Sequence, residues 1–134
     1  MKTPWIIILC HGTWGEYLVK DVKRMFGLKE GVFVYSLMPE MSAENYRTEV
    51  EKCIVTAPEG SVLVADLYGG TTSNTAIYLA MKYNKEAVSG LNVELLLKLE
   101  NERQSSSENI VEKVLADNEN MYVDLIKKFK NMVK

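Results

Sequence analysis

Two short segments of this sequence carry side chains that can do chemistry together. The segment Asp66-Leu67-Tyr68-Gly69-Gly70-Thr71-Thr72-Ser73 places a carboxylate and two glycines where an apolar run gives way to helical spacing. His11, the only histidine of the chain, follows another apolar run. A carboxylate that holds one nitrogen of an imidazole fixes the tautomer and leaves the second nitrogen free as a nucleophile. These residue types therefore predict phosphoryl transfer, with His11 as the nucleophile and Asp66 as the residue that orients it.

The glycine pair predicts where the phosphate would lie. Glycines allow a tight turn and a close approach of the backbone to an anion, and the first N–H groups of a following helix point toward that anion. Hydroxyl side chains just after the pair can add further donors. The predicted phosphate-binding residues are Gly12, Gly69, Gly70, Thr71 and Thr72.

Strands and helices must alternate to position these residues. Short apolar runs predict four strands, at Trp5 to Cys10, Gly31 to Met38, Ser61 to Tyr68 and Ala87 to Asn92. Helical spacing predicts three intervening helices, from Trp14 to Met25 with Gly27 closing it, from the cap Ser42 to about Val55, and from a cap at Thr72 or Ser73. Such alternation over short loops is typical of an α/β fold with a parallel sheet.

A flavodoxin-like strand order, 2-1-3-4 with helices on both faces, brings the chemistry together. In this order strands 1 and 3 are neighbours, and ligands bind at the carboxyl ends of strands where the connections diverge. His11 follows strand 1 and Asp66 lies at the end of strand 3. We therefore expect the two side chains to meet at one edge of the sheet.

After Asn92 the pattern becomes entirely helical, which predicts a helical C-terminal tail. Ser105-Ser106-Ser107-Glu108 has the form of a capping box, and Asp117-Asn118-Glu119-Asn120 divides the tail into two helices. Packing against the domain is the ordinary explanation of the tail's apolar stripe, and a subunit interface is the alternative. The stripe comprises Ile110, Val111, Val114, Leu115, Met121, Tyr122, Leu125, Ile126, Phe129 and Val133.

Length and composition exclude several classes of protein. The 134 residues predict a single domain, 1–134, and a content of 47% apolar and 25% charged residues is typical of a globular protein. A net charge of −2 provides no positive field to attract nucleic acid. Cys10 and Cys53 have no spacing that predicts a disulfide framework or a zinc site, which favours a reduced, cytoplasmic protein. We expect no metal and no cofactor.

With these motifs the chain resembles the mannose-type enzyme IIA domain of the bacterial phosphoenolpyruvate-dependent sugar phosphotransferase system (PTS). The resemblance rests on the strand closing in His11-Gly12, on Asp66-Leu67-Tyr68-Gly69-Gly70-Thr71 with Asn74-Thr75-Ala76 beyond it, and on Ser89-Gly90-Leu91-Asn92. It extends over the whole chain. Tyr68, Thr71 and Glu94 depart from the family pattern, which often has tryptophan, serine and proline there.

The resemblance implies a phosphotransferase that works as a phosphocarrier. His11 would accept a phosphoryl group from HPr and pass it to a separate IIB subunit, which phosphorylates sugar entering through the membrane components IIC and IID. Asp66 would orient the imidazole, and Thr71 would contact the phosphate. Family members are typically homodimers that exchange an edge strand, for which Val93 to Leu99 is the candidate here. The sugar cannot be inferred, because a IIA domain contacts only phosphocarriers.

Two other functions are compatible with parts of the sequence. A regulatory binding module could keep the fold and the phosphorylatable histidine without passing the phosphoryl group on. A receiver-like domain phosphorylated on Asp66 would need an acidic pair after strand 1 to hold magnesium. Cys10-His11-Gly12 stands at that place, which disfavours the receiver.

Overall fold

The computed structural model of the protein describes residues 2–118 and 121–133. Its sheet consists of β1 (Ile6–His11), β2 (Val32–Leu37), β3 (Val62–Ala65) and β4 (Glu86–Ser89). The helices of this described part are α1 (Trp14–Met25), α2 (Ala43–Ile54), α3 (Gly70–Tyr83), α4 (Val93–Ser105), α5 (Ile110–Leu115) and α6 (Leu125–Met132). None of these described helices combines the length and hydrophobicity that crossing a bilayer requires.

All strand pairs are parallel, and the strand order is β2-β1-β3-β4. β1 lies between β2 and β3, with Ile6 opposite Val32 on one side and Val62 on the other. This confirms the predicted α/β class and the flavodoxin-like order. Because β1 is central and covered on both faces, its residues from Ile6 to Cys10 are all buried.

The side chains of β1 divide between two cores because successive residues of a strand point to opposite faces. Ile6, Ile8 and Cys10 belong to a core formed with α1, α4 and α5. Ile7 and Leu9 belong to a second core formed with α2 and α3. The predicted helices on both faces are thus present, and together they hold β1 rigidly up to His11.

Two predicted helix ends are confirmed and one is not. Ser42 caps α2 by accepting the Asn45 N–H at 3.0 Å. Gly27 closes α1 with a φ of +90°, a conformation that favours glycine. The prediction that Thr72 or Ser73 caps the third helix is wrong, because α3 already begins at Gly70.

Residues 93–99, expected as an exchanged edge strand, form the first half of α4 instead. Asn92 starts this helix by accepting the Leu95 N–H at 2.7 Å. Leu95, Leu96 and Leu99 then recur at helical spacing and are fully buried. A strand would turn alternate residues to opposite faces and could not bury this set together.

The predicted capping box at Ser105–Glu108 is also wrong. α4 continues to Ser105, and α5 begins only at Ile110. The carboxylate of Glu86, on β4, accepts the N–H groups of Ile110 and Val111 at 3.2 and 2.7 Å. The free N–H groups at the start of α5 therefore bind a carboxylate that is distant in sequence, and not the side chains of the predicted capping box.

The helical tail is present, but its apolar stripe is only partly buried. Ile110 and Val114 of α5 are buried. The large apolar side chains of α6 are between 60% and 76% exposed, so the prediction that the whole stripe packs against the domain is wrong for this helix. The predicted break at 117–120 falls between α5 and α6, and residues 119 and 120 lie outside the described residues.

Arg103 ties α4 to the amino ends of the strands. Its side chain is buried, and its Nη1 donates to the backbone oxygens of Pro4 and Glu30 at 2.9 and 3.0 Å. Nη2 donates to the Lys29 oxygen at 2.8 Å, and Nε pairs with Glu100 at 2.6 Å. One buried guanidinium thus fixes the segments that lead into β1 and β2.

Replacing Arg103 with Met should therefore destabilise the protein strongly. The change leaves three backbone carbonyls and one carboxylate without their donor, which should lower the free energy of unfolding by about 3 kcal/mol in urea titrations. Arg24→Met is the matched control, because the Arg24–Asp21 pair is exposed and such pairs contribute little. Equal, small losses in both variants would contradict a structural role for the buried guanidinium.

Candidate functional site

The site lies at the carboxyl edge of the sheet, where β1 and β3 end side by side. His11 is the last residue of β1, and Asp66 directly follows β3. The Asp66 N–H donates to the Leu9 oxygen at 3.0 Å, so the strand pairing continues up to the carboxylate. The adjacency of these strands, predicted from the strand order, brings the two side chains together.

His11 and Asp66 are joined by both backbone and side-chain hydrogen bonds. The His11 N–H donates to Asp66 Oδ2 at 2.9 Å. The ring nitrogen Nδ1 lies 2.9 Å from Oδ2 and 3.2 Å from Oδ1. Since an ionised carboxylate only accepts, Nδ1 carries the proton of the neutral ring, and Nε2 keeps its lone pair.

The two members of the pair differ in their access to solvent. The His11 side chain is 46% exposed, whereas that of Asp66 is 2% exposed. The imidazole can therefore meet a partner, while the carboxylate is shielded from water beneath it. A buried carboxylate in this position can orient the ring and can stabilise positive charge on it.

Four donors hold the buried carboxylate in its charged form. The Leu67 N–H and the Thr72 hydroxyl donate to Oδ1 at 3.0 and 2.8 Å, in addition to the two groups from His11. Burial raises the pKa of Asp66, but the hydrogen bonds from His11 and Thr72 outweigh it and lower the pKa below the ordinary value of 3.8. Asp66 is therefore ionised at neutral pH.

The predicted phosphate-binding glycines surround open space. Gly12, Gly69 and Gly70 have φ values of +71°, +92° and +83°, where other residues would be strained. A Cβ at any of the three would meet no atom within 4 Å, so backbone conformation and not packing calls for glycine here. The space that these glycines leave above the backbone can admit an anion.

The start of α3 lies beside the carboxylate. Gly69 is its N-cap, and no side chain caps the first turn. The N–H groups of Gly70 and Thr71, the residues of that turn with exposed surface, are therefore available to an anion, together with the partial positive charge of the helix start. Thr71 is partly exposed there, whereas Thr72 is fully buried with its hydroxyl bound to Asp66.

The structure adds contacts that sequence patterns did not reveal. The Leu67 and Thr72 bonds to Asp66 depend on the path of one turn, for which the sequence offers no signal beyond the glycine pair. The Leu91 N–H donates to the backbone carbonyl oxygen of Asp66 at 3.2 Å, which attaches the Ser89–Asn92 segment to the site. Within residues 2–118 and 121–133, no group of three His, Cys, Asp or Glu side chains is placed to hold a metal ion.

A comparison with models of known protein families shows to which family the chain belongs. The model described as EIIA-man, PTS system fructose IIA component, matches residues 5–115, which is most of the sequence. The chain belongs to this family. The span that matches the EIIA-man model contains all four strands, His11, Asp66 and the glycine turn. A search of curated proteins gives no match.

Solved structures of IIA proteins share the fold. An EIIA from Streptococcus agalactiae is 24% identical, with a TM-score of 0.83 over 92% of this chain and 98% of that one. A IIA protein associated with the fucose utilization operon of Streptococcus pneumoniae is 18% identical, with a TM-score of 0.80 over 93% and 95%. A mannose/sorbose specific IIA subunit from Enterococcus faecalis is 20% identical, with a TM-score of 0.76 over 91% and 94%. At these identities the comparisons establish the fold.

The lowered pKa of Asp66 predicts how the stability of this IIA protein depends on pH. Because the folded-state pKa lies below 3.8, the ionised carboxylate stabilises the fold fully above that value. This contribution is lost as the pH falls through the lowered pKa. The free energy of unfolding should be measured from pH 7 to pH 2 for wild type and for Asp66→Asn. At neutral pH it should be higher for wild type, and the difference between the two proteins should become smaller as the pH falls. A constant difference over this range would contradict the assignment.

Proposed function

We propose that this protein is a phosphocarrier that accepts a phosphoryl group on His11 from HPr and passes it to a separate IIB subunit for sugar uptake. The pairing of a half-exposed imidazole with a buried carboxylate is the observation that supports it most strongly. Asp66 holds Nδ1, so the nucleophile is Nε2. In this proposal residues 1–134 form a single IIA domain that works in the cytoplasm.

In the transfer the phosphoryl group passes directly from one imidazole to the other. The Nε2 lone pair of His11 forms a bond to phosphorus while the P–N bond to the donor histidine breaks and its electron pair returns to the donor ring. The proton on Nδ1 stays in its hydrogen bond to Asp66. As the His11 ring acquires positive charge, the ionised carboxylate stabilises it, and the same pair can release the phosphoryl group to IIB by the reverse step.

The glycine turn is placed to donate hydrogen bonds to the phosphoryl oxygens. Gly12, Gly69 and Gly70 leave room for the group, and the N–H groups at the start of α3 face negative charge favourably. Thr71, which is partly exposed, can donate its hydroxyl. Thr72 is fully buried and its hydroxyl already donates to Asp66, so it offers no donor to the phosphoryl group.

Exposed apolar side chains flank the site and favour a protein as the partner. Trp14 follows His11 at the start of α1 and is 43% exposed, while Leu67 and Tyr68 follow Asp66 and are 50% and 86% exposed. Apolar and aromatic side chains of this kind are typical of the centre of protein interfaces. HPr and IIB would contact this surface in turn, and the membrane components IIC and IID would be reached only through IIB.

Phosphorylation on His11 can be tested with enzyme I, HPr and radiolabelled phosphoenolpyruvate. Wild type should gain a phosphate that is stable in base and labile in acid, and His11→Ala should gain none. Asp66→Asn should be labelled about a hundredfold more slowly, because the ring loses its orienting charge. Circular dichroism of each variant controls for folding.

The same experiment, extended by adding IIB subunits, separates the competing functions. Labelling that persists in His11→Ala would overturn the proposal. Wild type that accepts phosphate but passes it to no IIB subunit would indicate the regulatory binding module instead. The sugar is a property of the partners, and the solved structures that share the fold carry different sugar names, fucose and mannose/sorbose.

We further infer that the protein is a homodimer in which α6 packs against the second copy. At about 100° per residue, the apolar side chains of α6 and Val133 fall within an arc of about 120°, and the lysines occupy the rest. No part of the chain within residues 2–118 and 121–133 covers this face, since these side chains are at least 60% exposed. Residues 121–134 carry a net charge of +3, against −5 for residues 1–120, so the tail is attracted to the body of another copy.

Self-association through α6 predicts that Phe129→Asp produces a monomer. A charge in the middle of the apolar arc should prevent its burial, whereas Asn131→Asp on the polar face should leave the dimer intact. Sedimentation equilibrium at tens of micromolar protein measures both variants beside wild type. A monomeric wild type, or dissociation by both substitutions alike, would contradict this interface.

A further inference from the structure

The hydroxyl of Thr72 is buried and donates a hydrogen bond to the carboxylate beneath His11. The residue has no exposed surface, and Oγ1 donates to Asp66 Oδ1 at 2.8 Å. A threonine within a helix commonly bonds to a backbone oxygen of the preceding turn, as Thr48 does with Glu44 at 3.0 Å. Thr72 contacts a functional side chain instead.

The two oxygens of Asp66 have mainly different partners, and only His11 Nδ1 lies close to both, 2.9 Å from Oδ2 and 3.2 Å from Oδ1. Oδ2 receives the His11 N–H and faces Nδ1, each at 2.9 Å. Oδ1 receives the Leu67 N–H and the Thr72 hydroxyl. Rotation of an aspartate about its last torsion is soft, so the direction of Oδ2 depends on what holds Oδ1.

The two donors to Oδ1 restrict different motions of the carboxylate. The Leu67 N–H belongs to the residue next to Asp66, so it moves with that residue and limits its local rotation. Thr72 belongs to α3 and reaches the carboxylate across the glycine turn, so it relates Asp66 to the helix. A contact of this kind holds the carboxylate, the ring and the N–H groups of α3 in one fixed geometry.

We propose that Thr72 is a positioning residue, whose buried hydroxyl fixes the Asp66 carboxylate and through it the tautomer and direction of the His11 ring. This rests on the proposed phosphocarrier function for its effect on rate, but its effect on the ring is a property of the free protein. The hydroxyl is not a phosphate ligand, because it has no surface that a phosphate could reach.

The test compares Thr72→Val, which keeps the shape and removes the hydroxyl, with Thr72→Ser, which restores it. Thr75→Val is the matched control, since Thr75 is buried on the same helix and is not among the hydrogen-bond donors to the Asp66 carboxylate. In ¹⁵N NMR of the unphosphorylated full chain, wild type should show one tautomer with the proton on Nδ1. Thr72→Val should shift the two ring nitrogens toward each other, while Thr72→Ser and Thr75→Val should match wild type.

The rate of His11 phosphorylation by phospho-HPr gives the second measurement. Thr72→Val should be about tenfold slower, the effect of losing one hydrogen bond to a charged group, and Thr72→Ser should recover most of the rate. A Thr72→Ser variant as slow as Thr72→Val would overturn the proposal, as would an unchanged tautomer in Thr72→Val.

If Thr72→Val does not fold, a mixture of tautomers in Thr72→Ser would overturn the proposal equally. A wild type that accepts no phosphate would overturn the proposed function alone, because the tautomer measurement does not depend on transfer.

Discussion

The hydrogen bond between His11 Nδ1 and the buried carboxylate of Asp66 is the interaction on which the site depends. It joins residues that are 55 positions apart, and it exists because β1 and β3 are neighbours in the sheet. The buried residues of β1 leave that strand little freedom, so His11 leaves the sheet at a defined point. Asp66 is held there by the strand ladder, by its own turn and by α3. The surrounding fold thus places one charge beneath one half-exposed ring and binds that charge to Nδ1 rather than Nε2.

Sequence patterns predicted the part of this arrangement that periodicity and topology control. Continuous apolar runs located the strands, and the order 2-1-3-4 then required His11 and Asp66 to share an edge. Patterns failed at the starts of two helices. The Glu86 carboxylate starts α5 in place of the predicted serine box, and Gly69 starts α3 ahead of the predicted hydroxyl caps. The spacing of the neighbouring residues predicts neither of these helix starts.

The same limit explains the role of Thr72 and the behaviour of the tail. A hydroxyl after a glycine pair can face a phosphate or turn inward, and only the path of the turn decides between them. An amphipathic stripe shows that a helix has an apolar side without showing which molecule covers it. The buried leucines of α4 cover the sheet, whereas the apolar side of α6 remains exposed in a single chain. Membership of the EIIA-man family agrees with the fold and gives the pair of residues a chemical context.

The position of phosphorus on the histidine ring tests this account most directly. A carboxylate that holds Nδ1 leaves a single nitrogen able to attack, so the phosphorylated protein should carry its phosphate on Nε2 of His11. Heteronuclear NMR of the ¹⁵N-labelled, phosphorylated chain resolves the two ring nitrogens through their couplings to ³¹P and to the ring protons. Coupling of phosphorus to Nε2, with Nδ1 still protonated, is the predicted result. Phosphorus on Nδ1, or on any other residue, would contradict the role assigned to Asp66.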